Sequence, residues 1–194
     1  SAASTGSSVA VDQGVKSLVS LYLLIDTDYK YPVAKVKSAD NGSYSVTVDD
    51  VKDFLTNTTT HDQIDSDYGF TMPCTAATLE CFQSLGPLAI RALYVSDGKA
   101  KAITAMADPT STEPVRVDPI VSRVATQVIG KLVETIKATI SSIDILPDSV
   151  KATLLTNVLD AVKETVVATL ESVKDTTVFE LPEGTDASTI SDPE

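Results

Sequence analysis

Hydrophobic and polar residues alternate along the first half of the chain, which predicts β-structure there. Residues 15–25 contain the longest apolar stretch and are apolar on both faces towards their end, which is typical of a central strand. Residues 33–48 alternate around Asn41 and Gly42, two residues that tolerate positive φ and so predict a hairpin turn. Residues 88–107 show the same pattern around a Ser-Asp-Gly-Lys sequence and predict a second hairpin.

Beyond residue 118 the hydrophobic residues recur at the spacing of α-helices. They follow one another at steps of three and four, and the pattern resumes after a short break at residues 144–149. The stripe residues are Ile120, Val121, Val124, Val128, Leu132, Val133, Ile136 and Ile140 in the first helix, and Val150, Leu154, Leu155, Val158, Leu159, Val162, Val166, Leu170 and Val173 in the second. Two such stripes joined by a short connection predict an antiparallel two-helix hairpin.

These patterns divide the chain into four segments and predict the α+β class. Residues 1–13 are expected to be a flexible leader, and residues 14–117 a β-sandwich domain with an insertion over residues 56–87 that is rich in Thr and Asp. Residues 118–175 are expected to form the helical hairpin. Residues 176–194 are expected to hold a short terminal strand followed by an acidic tail.

The charge and the beginning of the sequence narrow the classes of partner and the compartment. The net charge of −12 argues against nucleic acid, because a phosphate backbone requires a surface of Lys and Arg. No stretch approaches the roughly 20 apolar residues of a membrane-spanning helix. The chain opens with SAASTGSS, which is typical of the mature end of an exported protein. We therefore expect an exported protein that is extracellular or at the cell surface, including a periplasmic or lipid-anchored location.

Two cysteines, Cys74 and Cys81, lie in a segment that contains proline and is typical of a loop. One unbroken helix would place their Cα atoms about 10.5 Å apart, whereas a disulfide bridges no more than about 7 Å. The sequence therefore predicts either a helix break with a disulfide, which suits an exported protein, or two buried free thiols. His61 is the only histidine, so these three residues fall short of the four ligands of a zinc site.

Residues that could support catalysis or ligand binding are few. His61 is expected at the surface and no G-x-S-x-G motif accompanies it, so we expect no enzymatic activity. Asp62, Asp65 and Asp67 could offer carboxylate oxygens to calcium, although their spacing differs from an EF-hand; the alternative is a hydrated acidic loop. No other cofactor is expected. A carbohydrate site could be lined by the tyrosines, although strand tyrosines more often pack on the sheet: Tyr22, Tyr29, Tyr31, Tyr44, Tyr68 and Tyr94.

A motif in the first predicted hairpin carries a family resemblance. Residues 38–46, with the sequence SADNGSYSV, look like the T-D-x-x-G-x-Y-x-hydrophobic hairpin of one group of β-sandwiches. The strand at residues 15–25 and the hairpin at residues 88–107 fit the same layout. Over about residues 14–120 the chain resembles the carboxypeptidase-regulatory-like domain, in the transthyretin-like and Cna B-type group. This resemblance implies a seven-stranded Greek-key β-sandwich without catalytic activity, of the kind found in bacterial surface proteins and lipoproteins.

We therefore expect a non-catalytic structural or adhesion module, secreted or at the cell surface, that binds other proteins or itself. The candidate self-association residues are Val178, Phe179 and Leu181, because a short terminal strand could complete a sheet edge in the same or a neighbouring subunit. The alternative hypothesis is an extracellular module that binds carbohydrate or calcium.

Overall fold

A computed structural model describes residues 4–5, 8–9, 17–38, 44–96, 99–109, 116–117 and 119–173. The elements in chain order are β1 (Ser4–Thr5), β2 (Ser8–Val9), β3 (Ser17–Leu23), β4 (Ala34–Lys37), β5 (Val46–Thr47), α1 (Val48–Thr56), α2 (Thr58–Tyr68), α3 (Leu79–Gln83), β6 (Leu88–Ser96), β7 (Lys99–Ala107), β8 (Arg116–Val117), α4 (Pro119–Ile143) and α5 (Asp148–Val173). Strands and helices are thus both present, and the helices lie mainly in the second half.

A four-stranded antiparallel sheet with the order β4-β3-β6-β7 lies at the centre of the fold. β3 is a central strand, because Leu21 pairs with Ala34 of β4 on one side and with Ile90 of β6 on the other. β6 and β7 form a hairpin whose last pair is Ser96 with Lys99. The predictions of a central strand at residues 15–25 and of the second hairpin are confirmed for the described residues.

The prediction of an N-terminal Greek-key β-sandwich is wrong. The main sheet has four strands, and the remaining described strands form two separate pairs of two residues each, β1 with β5 and β2 with β8. Helices pack where the second sheet was expected: α4 contacts β7, and α1 contacts β4. Strands and helices contribute to one hydrophobic core. The apolar stripes of the helices therefore pack on the sheet in the place that a second sheet has in a sandwich.

The hairpin predicted over residues 33–48 does not form, because its two halves have other partners. β4 pairs with β3, and β5 pairs with β1. The second half also ends early, because Thr47 is the N-cap of α1. Its hydroxyl accepts a hydrogen bond from the Asp50 backbone N–H, and the Asp50 carboxylate accepts one from the Thr47 backbone N–H at 2.8 Å. This capping box starts α1 at Val48, the last residue of the predicted strand. The predicted turn lies outside the described residues.

The two long helices confirm the change of hydrophobic period. They pack on each other, and both contact β7. Among the side chains whose burial is described, the buried apolar residues are Leu132, Val133, Ile136, Ile140 and Ile143 of α4, with Leu155, Leu159, Val162 and Val166 of α5. Val150 departs from the predicted stripe, since 44% of it is exposed. No helix in the described part of the chain is long and apolar enough to cross a membrane.

Two glycines bring the segment at residues 56–87 close to the helical hairpin. Gly69 ends α2 with a φ of 68°, and a Cβ added there would lie 3.0 Å from Ile140 of α4. Gly86 has a φ of 76°, and a Cβ there would lie 3.1 Å from Leu159 of α5. Each glycine provides both a left-handed backbone and room for close approach. The segment predicted as an insertion therefore contains helices that share the main core.

Candidate functional site

Cys74 and Cys81 form a disulfide, with their Cα atoms 5.8 Å apart. The bond is possible because no helix runs from one cysteine to the other. Thr78 is the N-cap of α3, and its hydroxyl accepts a hydrogen bond from the Cys81 backbone N–H at 3.1 Å. Ser84 donates to the Cys81 carbonyl at 2.6 Å and closes the same short helix. The disulfide is thus confirmed, and the alternative of two free thiols is wrong.

The loop between β3 and β4 is organised by Asp26, a carboxylate that is only 2% exposed. This carboxylate accepts hydrogen bonds from the backbone N–H groups of Lys30 at 3.0 Å and Tyr31 at 2.8 Å. It also accepts one from the Tyr68 hydroxyl at 2.8 Å. A buried charge is tolerated only with such donors. Asp26 therefore both shapes the loop and ties it to the end of α2.

Asp67 holds the outer side of the same loop. Its carboxylate accepts hydrogen bonds from the Tyr31 hydroxyl and from the Lys30 ammonium, the latter at 3.0 Å. The bond from Tyr31, followed by that from Lys30, lowers the pKa of Asp67. In the same way the hydrogen bond to Asp67 raises the pKa of both Lys30 and Tyr31. Because these groups are in contact with water, their ion pair contributes little to the free energy of unfolding.

Aromatic rings complete this region, which we call the tyrosine–aspartate cluster (Asp26, Asp28, Tyr31, Asp67 and Tyr68). Burial, followed by the hydrogen bond to Asp26, raises the pKa of Tyr68, whose hydroxyl also reaches Asp28 at 3.2 Å. Outside the cluster, the ring of Tyr29 lies 5.0 Å from that of Tyr22 and 4.7 Å from the guanidinium of Arg91. The loop is therefore held against the sheet as well as against α2.

A groove of about 390 Å³ lies beside the cluster, between β4 and the helices α1 and α2. We call it the β4–α1 groove. Residues 30–35 line one side, and Asp53, Phe54, Asn57 and Thr60 are among the residues of the other. Lysines on the first side thus face carboxylates on the second. A groove with both signs of charge and a few aromatic rings suits an extended polar molecule better than an apolar one.

The three aspartates predicted as a calcium site all lie on α2, but the structure does not bring them together. Asp65 lies 3.9 Å from the ammonium of Lys151, whereas Asp67 binds Tyr31. Residues that are two positions apart in a helix are separated by about 200° around its axis, so Asp65 and Asp67 point to different surfaces. Asp62 is exposed. Among the described residues, no group of three or more His, Cys, Asp or Glu side chains is placed to hold a metal ion.

His61 is buried, with 7% exposed, so the expectation of a surface histidine is wrong. Its Nε2 lies 2.7 Å from the carbonyl oxygen of Phe54, and the two rings are edge-on at 5.8 Å. The same carbonyl accepts a hydrogen bond from the backbone N–H of Asn57, the C-cap of α1, at 3.4 Å, so the imidazole is a second partner at this helix end. His61 therefore joins α1 to α2.

The sequence singled out three residues of this cluster, Asp67 for calcium and Tyr31 and Tyr68 for a carbohydrate site, but it did not predict the hydrogen bonds that join them to the loop. In the sequence, Asp26 directly follows the apolar strand and precedes a turn that is rich in tyrosine. This position was the one local signal of its role in the loop. Tyr68 meets Asp26 across 42 positions of sequence, and such a contact has no local pattern. The predicted self-association residues Val178, Phe179 and Leu181 lie outside the described residues.

Comparison with known proteins does not assign the chain to a family. No family model matches the sequence, and neither a curated protein nor a solved structure matches it. The likeness to carboxypeptidase-regulatory-like domains is therefore limited to the motifs described above. Any function must be argued from the geometry of the chain.

Proposed function

We propose that this chain is a non-catalytic, exported structural or adhesion module that assembles with copies of itself or with other proteins. The observation that carries the exported location is the disulfide between Cys74 and Cys81. Disulfides persist in oxidising compartments, whereas cytosolic thiols are kept reduced. The proposed location is the outside or the surface of a bacterial cell, where a net charge of −12 also favours solubility.

The bonding of the tyrosine–aspartate cluster supports a role without catalysis. A general base needs a lone pair that faces the proton of a substrate. The carboxylate of Asp26 is instead occupied by two backbone N–H groups and the Tyr68 hydroxyl. Since the pKa of Tyr68 is raised, its hydroxyl stays protonated and remains a donor at neutral pH. These groups are used to hold the loop in place.

The first test is the solution mass of the full chain, measured by light scattering over a range of concentrations. The proposed module should have a mass above the 20.5 kDa of one chain, or should gain mass when a partner is added. Alkylation of the denatured, unreduced protein from its natural source should leave both cysteines unlabelled. A strictly monomeric chain that binds no partner and is labelled at both cysteines would contradict the proposal.

A second candidate function is carbohydrate binding, and the β4–α1 groove is the observation that favours it. The aromatic ring of Tyr31 lines one side of this groove, and Asp53 and Asn57, whose side chains can form hydrogen bonds with sugar hydroxyls, line the other. Titration with a panel of oligosaccharides, followed by NMR, should then shift the signals of groove residues. The same titration with calcium chloride tests the calcium hypothesis. Shifts that appear only with calcium would exclude the sugar and favour the metal.

A further inference from the structure

β4 is an edge of the four-stranded sheet, because it pairs with β3 alone among the described residues. The backbone N–H of Ser38 donates to the carbonyl of Ser17 at 2.9 Å, just beyond the last pair of the two strands. Antiparallel strands bond at every second residue. Val36 therefore bonds to β3, whereas the N–H and C=O groups of Lys35 and Lys37 point away from it. Two residues thus offer backbone groups to a further strand.

The two edges of the sheet differ in what covers them. The edge at β7 is contacted by α4 and by β8. The strand at the other edge, β4, is contacted by α1, and it also opens on the β4–α1 groove, which Lys35 helps to line. Val36, on the face opposite to Lys35, is only partly buried although it packs against the core. An added strand would therefore find both backbone partners and an incompletely covered apolar residue at β4.

The charge of β4 is opposite to that of the chain as a whole. Lys35 and Lys37 are both exposed on this strand, and neither is part of an ion pair among the described residues. The end of the chain has the complementary charge, since it has the single base Lys174 against six acids: Asp175, Glu180, Glu183, Asp186, Asp192 and Glu194. Exposed lysines protect a sheet edge against most strands. They would attract a strand that is itself acidic.

Residues 177–181, with the sequence TVFEL, have the alternation that this edge requires; we call them the tail strand. In a strand, Phe179 and Leu181 share one face and Glu180 has the other. β4 alternates in the same way, with Val36 on one face and Lys35 and Lys37 on the other. If the strands align, Phe179 extends the apolar face while Glu180 meets the lysines.

On the basis of the self-assembling function proposed above, we propose that the tail strand of one copy adds to β4 of a second copy. The backbone groups of Lys35 and Lys37 supply the new ladder, and the β4–α1 groove receives side chains of the tail strand. Strand addition to an exposed edge combines main-chain hydrogen bonds with side-chain pockets in this way. Each copy then offers one tail and one edge, which gives a head-to-tail interface.

The course of α5 favours a second copy over the same chain. Lys151 near its start lies 3.9 Å from Asp65 of α2, on the β4 side, whereas Lys163 lies 4.0 Å from Asp108 after β7. Three strand spacings separate β7 from β4, which is about 14 Å. The part of α5 that follows Lys163 is about 15 Å long. A chain that runs from the end of α5 at Val173 to Thr177 spans at most about 14 Å. The end of α5 therefore lies beyond β7, too far from β4 of the same chain for a connection of this length to span.

Two full-length variants separate the edge from the tail. Lys35→Pro removes the outward N–H of β4 but no hydrogen bond to β3, and proline is tolerated at a sheet edge. Phe179→Asp places a charge on the apolar face of the tail strand. Sedimentation should show that each variant raises the dissociation constant of self-association by about tenfold. Lys35→Ala, which keeps the N–H, should raise it only about twofold. Circular dichroism checks that all three remain folded.

Mixing the two variants gives the decisive result. The Phe179→Asp chain retains its edge and the Lys35→Pro chain retains its tail. At a concentration between the dissociation constants of the natural chain and of the variants, an equimolar mixture should therefore form more dimer than either variant alone. A mixture that stays monomeric would overturn addition between copies. If Phe179→Asp and Lys35→Pro assemble as well as the natural chain, the β4 site is wrong but the self-assembling module stands. If the natural chain is monomeric at every concentration, self-assembly fails as well.

Discussion

The helical hairpin and the loop at residues 26–32 are attached to the same body by different forces. Apolar side chains hold the hairpin, and a methyl group added at Gly86 would lie 3.1 Å from Leu159, closer than ordinary van der Waals contact. Carboxylates hold the loop, through Asp26 on its inner side and Asp67 on its outer side. Apolar attachment depends on volume and is insensitive to pH. Polar attachment depends on protonation and on keeping both partners.

The largest expected effect is on the apolar side. Leu159→Ala should lower the free energy of unfolding by about 3 kcal/mol, because it removes a buried side chain and leaves a cavity. Urea unfolding followed by circular dichroism measures this loss. Ile145→Ala is the control, since Ile145 is 93% exposed and its loss should be within about 0.5 kcal/mol. Equal losses for the two variants would show that the hairpin is not held by apolar packing.

Gly86→Ala tests the close approach directly. We expect a loss of about 2 kcal/mol, because an alanine meets both Leu159 and an unfavourable positive φ. Gly130→Ala is the matched control: Gly130 lies within α4 with open space around it, so the change should stabilise the helix by about 0.5–1 kcal/mol. The two substitutions should therefore have opposite signs in urea unfolding. In the double variant with Leu159→Ala, part of the Gly86→Ala loss should disappear.

Asp26→Asn tests the polar attachment. An amide of the same shape accepts at one oxygen only, and its NH₂ group would face a backbone N–H. We expect a loss of about 2 kcal/mol, because the bonds are made to a buried charge. Asp62→Asn, at an exposed position of α2, is the control and should change the free energy of unfolding by less than about 0.5 kcal/mol. If both variants unfold like the natural chain, Asp26 does not organise the loop.

The smallest effect is the pH dependence of Asp67. Its pKa is lowered in the folded state relative to 3.8, so its contribution is present above that pH and is lost as the pH falls below it. Asp67→Asn should therefore flatten the decline of Tm as the pH falls below 3.8. The Leu159→Ala variant should have a lower Tm but the same shape of decline. A decline that Asp67→Asn leaves unchanged would assign the acid sensitivity to other carboxylates.

The two predicted hairpins show how far local pattern reaches. The second formed, because β6 and β7 follow each other over nine residues each and are nearest neighbours along the chain. The first did not, although its Asn-Gly turn was the stronger signal. β4 is only four residues long, and it pairs with β3, which is longer and apolar. The capping box at Thr47 starts α1 directly after β5. A turn signal is therefore outweighed when each flank has a better partner.

In the candidate site too, the sequence predicted what depends on local geometry and not what depends on the rest of the fold. The cysteine spacing restricted the chain to a disulfide with a helix break or to free thiols, because helix geometry is local. The spacing could not choose between them, since the choice depends on where Thr78 starts α3. The aspartates of α2 looked like one cluster in sequence. They separate in space because a helix turns successive side chains around its axis.

Period and capping are short-range properties, so the residues alone were sufficient to predict the central strand, the second hairpin and the two long helices. Strand pairing and burial join residues that are far apart in sequence, and these required the folded chain. Asp26 meets Tyr68, Gly86 meets Leu159, and β4 is left at the edge for this reason. The contacts that define the groove and the cluster depend on how separate elements pack, and no stretch of sequence contains that information.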